Sequence, residues 1–390
     1  MRKIILLVAL ILIGSSGLTA QANLEKEIQT QLIMAEDGDV IHLPEGKIAL
    51  SGSLSLDEKK RITIRGAGEG KTILSFKNQK NGAEGLRVTN ASYITLEYFT
   101  IEDSKGDLIK TQHVDHLIFR HITAQWTGKP KKTNGSYALY PVQCTQVRIE
   151  NCMAIGASDA GIYVGQSDSV WVTQCTARHN VAGIEIENTT NAWVYDNLST
   201  ANTGGILVFD LPDLPKERGG NTEVHNNKVI SNNYKNFAPK GNIVGKVPPG
   251  TGIMILATDD VNVHHNEILG NKTAPTAIMS YYISENPIHD KKYNPYPSRI
   301  SIHDNQYSPQ KRMPTWKNKL GFAFWLKFGR KVPNILYDGI QDANMVDASG
   351  KLKPEYRICV YNNTNGSFAN IKADKGLKGI DKSLVPYDCK

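Results

Sequence analysis

Gly161–Asn180 reads GIYVGQSDSVWVTQCTARHN, and Gly183–Asn202 reads GIEIENTTNAWVYDNLSTAN. The second segment begins 22 residues after the first, and Gly205-Ile206-Leu207-Val208 opens a third unit another 22 residues on. Extended both ways, the first apolar column is Leu86, Ile109, Leu139, Ile162, Ile184, Ile206, Ile253 and Ile278. A second column holds Ile94, Leu117, Val147, Val170, Ala192, Thr222, Val261 and Ile300, and a third lies two residues later at Leu96, Phe119, Ile149, Val172, Val194, Val224, Val263 and Ile302. Inward residues alternate with others, which is the period of a strand and not the three-and-four spacing of a helix. Each strand is expected to run three to five residues before Asn, Ser, Asp or Gly intervenes. Three short strands per unit make one coil of a parallel β-helix.

A fourth column reads Phe99, Ile122, Cys152, Cys175, Asn197, Asn227, Asn266 and Asn305. One Asn in a turn is ordinary, but one held in register over four coils predicts an amide ladder. Each side chain would bond its neighbours along the stack and satisfy turn backbone groups.

The chain resembles a right-handed parallel β-helix protein of the pectate-lyase-like superfamily. Asp39-Val40-Ile41-His42-Leu43-Pro44-Glu45-Gly46 and Ile62-Thr63-Ile64-Arg65-Gly66-Ala67-Gly68 are similar to its opening coils. That superfamily holds lyases, hydrolases, epimerases and non-enzymes, so the resemblance implies a fold more than a reaction. More narrowly, Ile335-Leu336-Tyr337-Asp338-Gly339-Ile340, Arg357-Ile358-Cys359 and Tyr387-Asp388-Cys389 resemble an exported β-helix family encoded beside diheme c-type cytochromes. This second resemblance implies a c-type cytochrome partner.

The expected organisation is a signal peptide over 1–22, a parallel β-helix over 23–308 and a C-terminal cap or extension over 309–390. The leader is read from Arg2-Lys3, the apolar run Ile4 to Ile13 and the Ala20-Gln21-Ala22 cleavage site. It implies a periplasmic or secreted protein. No segment is apolar over the length needed to span a bilayer, and a monomer is expected. Leu24, Ile28, Leu32 and Ala35 recur at helical spacing, so residues 24–36 are expected to form a helix closing the N-terminal mouth. Trp316, Phe322, Phe324, Trp325 and Phe328 would cap the other end or offer a sugar-stacking platform. The composition, with 33 Gly, 17 Pro, five Cys and a net charge of +7, excludes disordered, collagen-like and disulfide-dense classes. No haem-attachment, hydrolase-elbow, Walker or nucleic-acid motif occurs.

Four insertions, 127–136, 210–221, 234–249 and 284–298, flank the first-strand face, two from each side. Loops on a rigid scaffold commonly carry function, and pectate-lyase-like enzymes use this groove. The outward columns of that face read Arg87, Lys110, Tyr140, Tyr163, Glu185, Leu207, Met254, Met279, and then Thr89, Gln112, Val142, Gly165, Glu187, Phe209, Leu256, Tyr281. With coils about 4.8 Å apart, cations, rings and carboxylates would share one strip suited to an acidic polysaccharide. Arg87, Lys110, Glu187, Phe209 and Asp210 are the expected substrate contacts. Tyr140, Tyr163 and Glu185 are the expected acid and base groups of a lyase or epimerase. Glu185, Glu187 and Asp210 would suit Ca²⁺, against the plain alternative of a solvated surface. His113 is a further proton-transfer candidate. The stacked His225, His264 and His303 suggest either a transition metal or simple repetition.

Cys152 and Cys175 stack at one coil's separation and are expected as free buried thiols. Cys144, in a turn, would be unpaired, and Cys359 and Cys389 would clip the tail. Two functions follow: an exported β-helix that binds and processes an acidic polysaccharide, or a non-catalytic exported accessory protein.

Overall fold

The computed structural model describes residues 23–389. The leader expected over 1–22 lies outside them. The described chain is a right-handed parallel β-helix whose strands all join one continuous parallel ladder. In the central coils the first strands are Ala160–Gly165, Ala182–Glu187, Gly204–Phe209 and Thr251–Leu256. Their registers place Ile162, Ile184, Ile206 and Ile253 in one inward column. The second and third columns pair as their spacing predicts, through to Ile300 and Ile302. Every coil therefore repeats the burial of several Val, Ile or Leu side chains, each contributing about 1.5–3 kcal/mol.

One column departs from expectation. Ile253 pairs with Thr276, and Ile278 pairs with Ile255. The strand Ala274–Met279 thus sits two residues from the expected register. A two-residue slip keeps every side chain on its face, so alternation cannot detect it. Thr276 is tolerated inside because its hydroxyl bonds the Tyr307 hydroxyl at 2.8 Å. Met279 consequently extends the Phe209–Leu256 column, and Tyr281 falls in the following 3₁₀ turn.

Strands are also longer than expected. Leu86–Glu102 and Ile109–Gln125 stay paired around whole coils. Their corners are made by single left-handed residues, such as Asn90, Tyr93 and Tyr98, and His113, His116 and His121. One residue at positive φ turns the chain without interrupting the ladder. His113 is thus an exposed corner residue.

The Asn ladder is present. Asn197, Asn227 and Asn266 each use Oδ1 to accept from the backbone N–H of the preceding rung and Nδ2 to donate to the next. Asn363 adds a further rung below Asn305. Cys175 and Cys152 continue the column upward as free thiols, the Cys152 N–H contacting Cys175 Sγ at 3.4 Å. A second ladder, Asn180–Asn202–Asn232–Asn271, lines the turn leading into each next first strand. Cys144 is also free and buried, and burial pushes its thiol up to about 11.

At the N-terminus a helix over 23–34 buries Ile28 and Leu32 in the core. It also covers a sheet edge: Gln29 exchanges two hydrogen bonds with the Ser55 backbone, and Glu25 accepts from Ser51 and Gly52. At the other end the coils run past residue 308. Ile335–Tyr337 pairs with the strand at 274–279, Ile358–Tyr361 pairs with Ser298–His303, and Phe368–Asn370 pairs with Ile335–Tyr337. Cys359 is bonded to Cys389. Among the described residues no helix is long and apolar enough to cross a membrane.

Candidate functional site

Three of the insertions, 210–221, 234–249 and 284–298, gather at the first-strand face as expected, but they fold over it, whereas 127–136 is tied to the turns at Asp103 and Gly156. The loop at 234–249 packs Phe237, Val244 and Val247 into one apolar cluster with Tyr163 and Leu207. Asn242 reaches from this loop to Asp159, donating to Oδ2 at 2.6 Å. From the loop after Met279, Tyr293 donates to the Asp210 carbonyl at 2.6 Å. Asp210 itself accepts the Gly219 N–H on both carboxylate oxygens.

The expected open strip is therefore corrected over most of its length. Glu185 and Asp210 are 1% exposed, Glu187 is 7%, and Tyr163 and Phe209 are likewise buried. Tyr163 donates to Glu187 Oε1 at 2.5 Å. Gly165 makes this possible: a Cβ there would lie 2.3 Å from the Tyr163 hydroxyl, so only glycine lets the ring lie along its strand. Tyr137 and Tyr140 complete a three-ring cluster, with centroids 4.4 to 5.0 Å apart.

Burial sets the chemistry of these groups. It raises Glu187 and Asp159 to about 7 and Glu185 well above the carboxylate range, with neighbouring carboxylates adding to the last. Burial and the same carboxylates drive the Tyr163 hydroxyl well above its usual range. A phenol held neutral beneath a loop is a poor base, and a sealed neutral Glu185 reaches no substrate. Glu185 Oε2 has no hydrogen-bond partner. Among the described residues no three His, Cys, Asp or Glu side chains converge to hold a metal ion. Glu185, Glu187 and Asp210 thus do not assemble the calcium site. Glu187 holds a phenol, and Asp210 holds a backbone amide. The same holds for His225, His264 and His303, which stack face to face at 5.0 and 5.1 Å between Tyr195 and Tyr361.

Of the strip's cations, tyrosines and carboxylates, those at its N-terminal part stay accessible. Arg87 pairs in register with Lys110, and Lys110 with Tyr140. Arg87 is exposed, and Lys110 and Tyr140 are half-buried. Lys110 Nζ lies 5.1 Å from the centre of the Tyr140 ring. Asp107, a residue that outward alternation does not select, accepts the Tyr137 N–H at 3.0 Å. Burial raises its carboxyl to about 6, against the pull of Lys110. Tyr140 is pushed up to about 12, by burial first and Asp107 next. Asp107 sits in the turn before the strand, so the only signal for it in the sequence is its place three residues ahead of Lys110.

Further along the face lies a cleft of about 560 Å³. Its floor is Phe209, Met254 and Leu256, and Leu320 and Ala323 of the helix Lys319–Phe328 form one wall. Lys246, Glu285 and Lys319 are also among its lining residues.

A family model described as the right-handed β-helix region matches residues 129–308. No curated protein matches the chain. Among solved structures, a hyperthermoactive exopolygalacturonase from Thermotoga maritima is 10% identical, with 80% of each chain covered and a TM-score of 0.51. The N-terminal fragment of gene product 12 of bacteriophage Phi29 is 14% identical at a TM-score of 0.52, with 87% of this chain and 58% of that one covered. The A-module of a mannuronan C-5 epimerase from Azotobacter vinelandii is 12% identical at 0.49, covering 90% and 91%. The likeness to the first two, at these identities, supports the parallel β-helix and says nothing of the chemistry.

Proposed function

We propose that the protein is an exported β-helix that binds an acidic polysaccharide on the N-terminal part of its first-strand face. The observation that carries this reading is the accessible register Arg87–Lys110–Tyr140 beside Asp107. Two cations one coil apart would take uronate carboxylates, and the Tyr140 ring would stack on a sugar face. The exopolygalacturonase likeness supports a fold on which such a site can stand. Export is supported by the basic, apolar and small-residue pattern of residues 1–22 and by the Cys359–Cys389 disulfide, which suits an oxidising compartment. Any lyase or epimerase step would fall to Asp107 and Tyr140, since Tyr163 and Glu185 are sealed. Asp107, with a pKa near 6, is the group able to exchange a proton near neutral pH.

Calorimetric titration with polygalacturonate and alginate oligomers tests this. Binding by the wild type and about tenfold weaker binding by Arg87→Ala and Lys110→Ala are expected, each charge-assisted contact contributing about 1.5 kcal/mol or more. Asp107→Asn should bind normally and lose any release of unsaturated sugar. Absence of binding to both polymers would overturn the reading in favour of the accessory role beside a c-type cytochrome that the C-terminal resemblance implies.

A further inference from the structure

The net charge of +7 has an address. Residues 305–337 contain no Asp or Glu and hold seven cations: Lys311, Arg312, Lys317, Lys319, Lys327, Arg330 and Lys331. Arg312 is buried and donates to the Val332 and Pro333 carbonyls. Lys319 pairs with Glu285. The other five are exposed and form no ion pair with the described residues. The helix Lys319–Phe328 runs through this stretch, capped by Asn318. One side packs inward through Phe324, with Leu320 and Ala323 facing the cleft. The other side presents Phe322, Trp325 and Leu326 at i, i+3 and i+4, and Leu326 is 62% exposed. Just ahead of the helix, Trp316 is 66% and Met313 48% exposed. Residues 313–326 thus hold five of the thirteen large apolar side chains exposed in the described chain.

We infer that this segment docks the protein on the surface of an anionic lipid bilayer, its apolar ridge entering the headgroup boundary and its lysines and arginines meeting the lipid charge. The charge complementarity selects the occupant: a basic segment whose helix carries Phe, Trp and Leu on one face suits an interface that is apolar below and anionic above. A sugar platform would use the ring faces but gain nothing from Leu326 and Met313. The segment is too short to span a bilayer, so the attachment is peripheral and reversible. It is independent of the polysaccharide reading, since Arg87 and Lys110 lie elsewhere on the solenoid.

Co-sedimentation of the purified protein with phosphatidylcholine vesicles, with and without phosphatidylglycerol, tests this. Binding only to the phosphatidylglycerol vesicles is expected, weakening as salt is raised. The triple substitution Lys327→Glu, Arg330→Glu and Lys331→Glu should weaken partitioning by roughly 100-fold, and Trp325→Ser with Leu326→Ser by about tenfold or more. All five positions are exposed, and an unchanged melting temperature would confirm that each variant is folded. Equal binding to both vesicle types, or no binding to either, would overturn the inference. So would binding that Trp325→Ser with Leu326→Ser leaves intact and soluble polygalacturonate displaces; that outcome would assign the segment to an anionic polymer.

Discussion

Glu185 and Glu187 matter here as buried acids. Burial raises Glu187 to about 7 and Glu185 well beyond the ordinary range. A carboxyl whose folded pKa exceeds its unfolded value leaves stability intact below the unfolded pKa and lowers it as pH rises toward the folded one. Stability should therefore fall between about pH 4 and pH 7, each raised unit costing about 1.4 kcal/mol per group. Asp57, Asp115 and Asp168 act in the opposite sense, since their carboxyls are lowered. The comparison that isolates the cluster is the double variant Glu185→Gln and Glu187→Gln. Its amides do not ionise, so its melting temperature should drop less than the wild type's over that range. An identical drop would mean that these carboxyls are ionised in the folded protein. Tyr163→Phe removes the hydroxyl that Glu187 accepts from and should cost about 1–3 kcal/mol in urea unfolding, with no loss of polysaccharide binding.

The ladders are the elements that hold one coil to the next. Asn227 accepts from Asn197 and donates to Val194 and Asn266, all in the dry interior. Asn227→Ala would orphan buried groups on two coils, each worth about 1–3 kcal/mol, so a loss of roughly 3 kcal/mol or more is expected in urea unfolding. Asn363→Ala, at the half-buried end of the same ladder, should cost clearly less because water can replace it. Equal losses would show that position in the stack is irrelevant. The ladder is legible because repetition writes it: Asn197, Asn227 and Asn266 recur in register. The second ladder was equally available, since Asn202, Asn232 and Asn271 each follow a rung by five residues. Other features leave no periodic trace. The slip at Ile278 preserves alternation. Whether an insertion stands beside a face or roofs it depends on contacts such as Asn242 to Asp159 and Tyr293 to Asp210, each closing 83 residues of chain. The accessible Arg87, Lys110 and Tyr140 could thus be read from the sequence, whereas the sealing of Tyr163 and Glu185 could not.

A solenoid is stabilised by contacts between neighbouring coils, so its ends can open while its middle stays folded. Here the C-terminal end is closed in layers. Phe368–Asn370 adds the last first-face strand, and an antiparallel bridge from Asn370 to Asp381 begins to cover its edge. The Tyr387 ring then lies 4.6 Å from that of Phe368, while its hydroxyl accepts from Asn370 Nδ2 at 2.8 Å. Cys389, two residues on, ties this lid to Cys359 on the second strand of the preceding coil, the one that Ile335–Tyr337 opens. The crosslink spans 30 residues of chain, and shortening an unfolded loop of that size is worth about 3–4 kcal/mol in the chain-entropy model. Because the loop lies wholly at the C-terminal end of the stack, that energy should appear in opening the cap and not in unfolding the central ladder. Replacing both cysteines by Ser should speed amide exchange over 358–361 and 368–370 and leave the rungs at Asn197 and Asn227 protected. An uncovered Phe368 strand is also an exposed edge, so the same variant should associate at high concentration. Light scattering reads this directly. Uniform acceleration of exchange along the whole stack would instead show that the coils unfold as a single unit, with the cap as cooperative with the core as any rung within it.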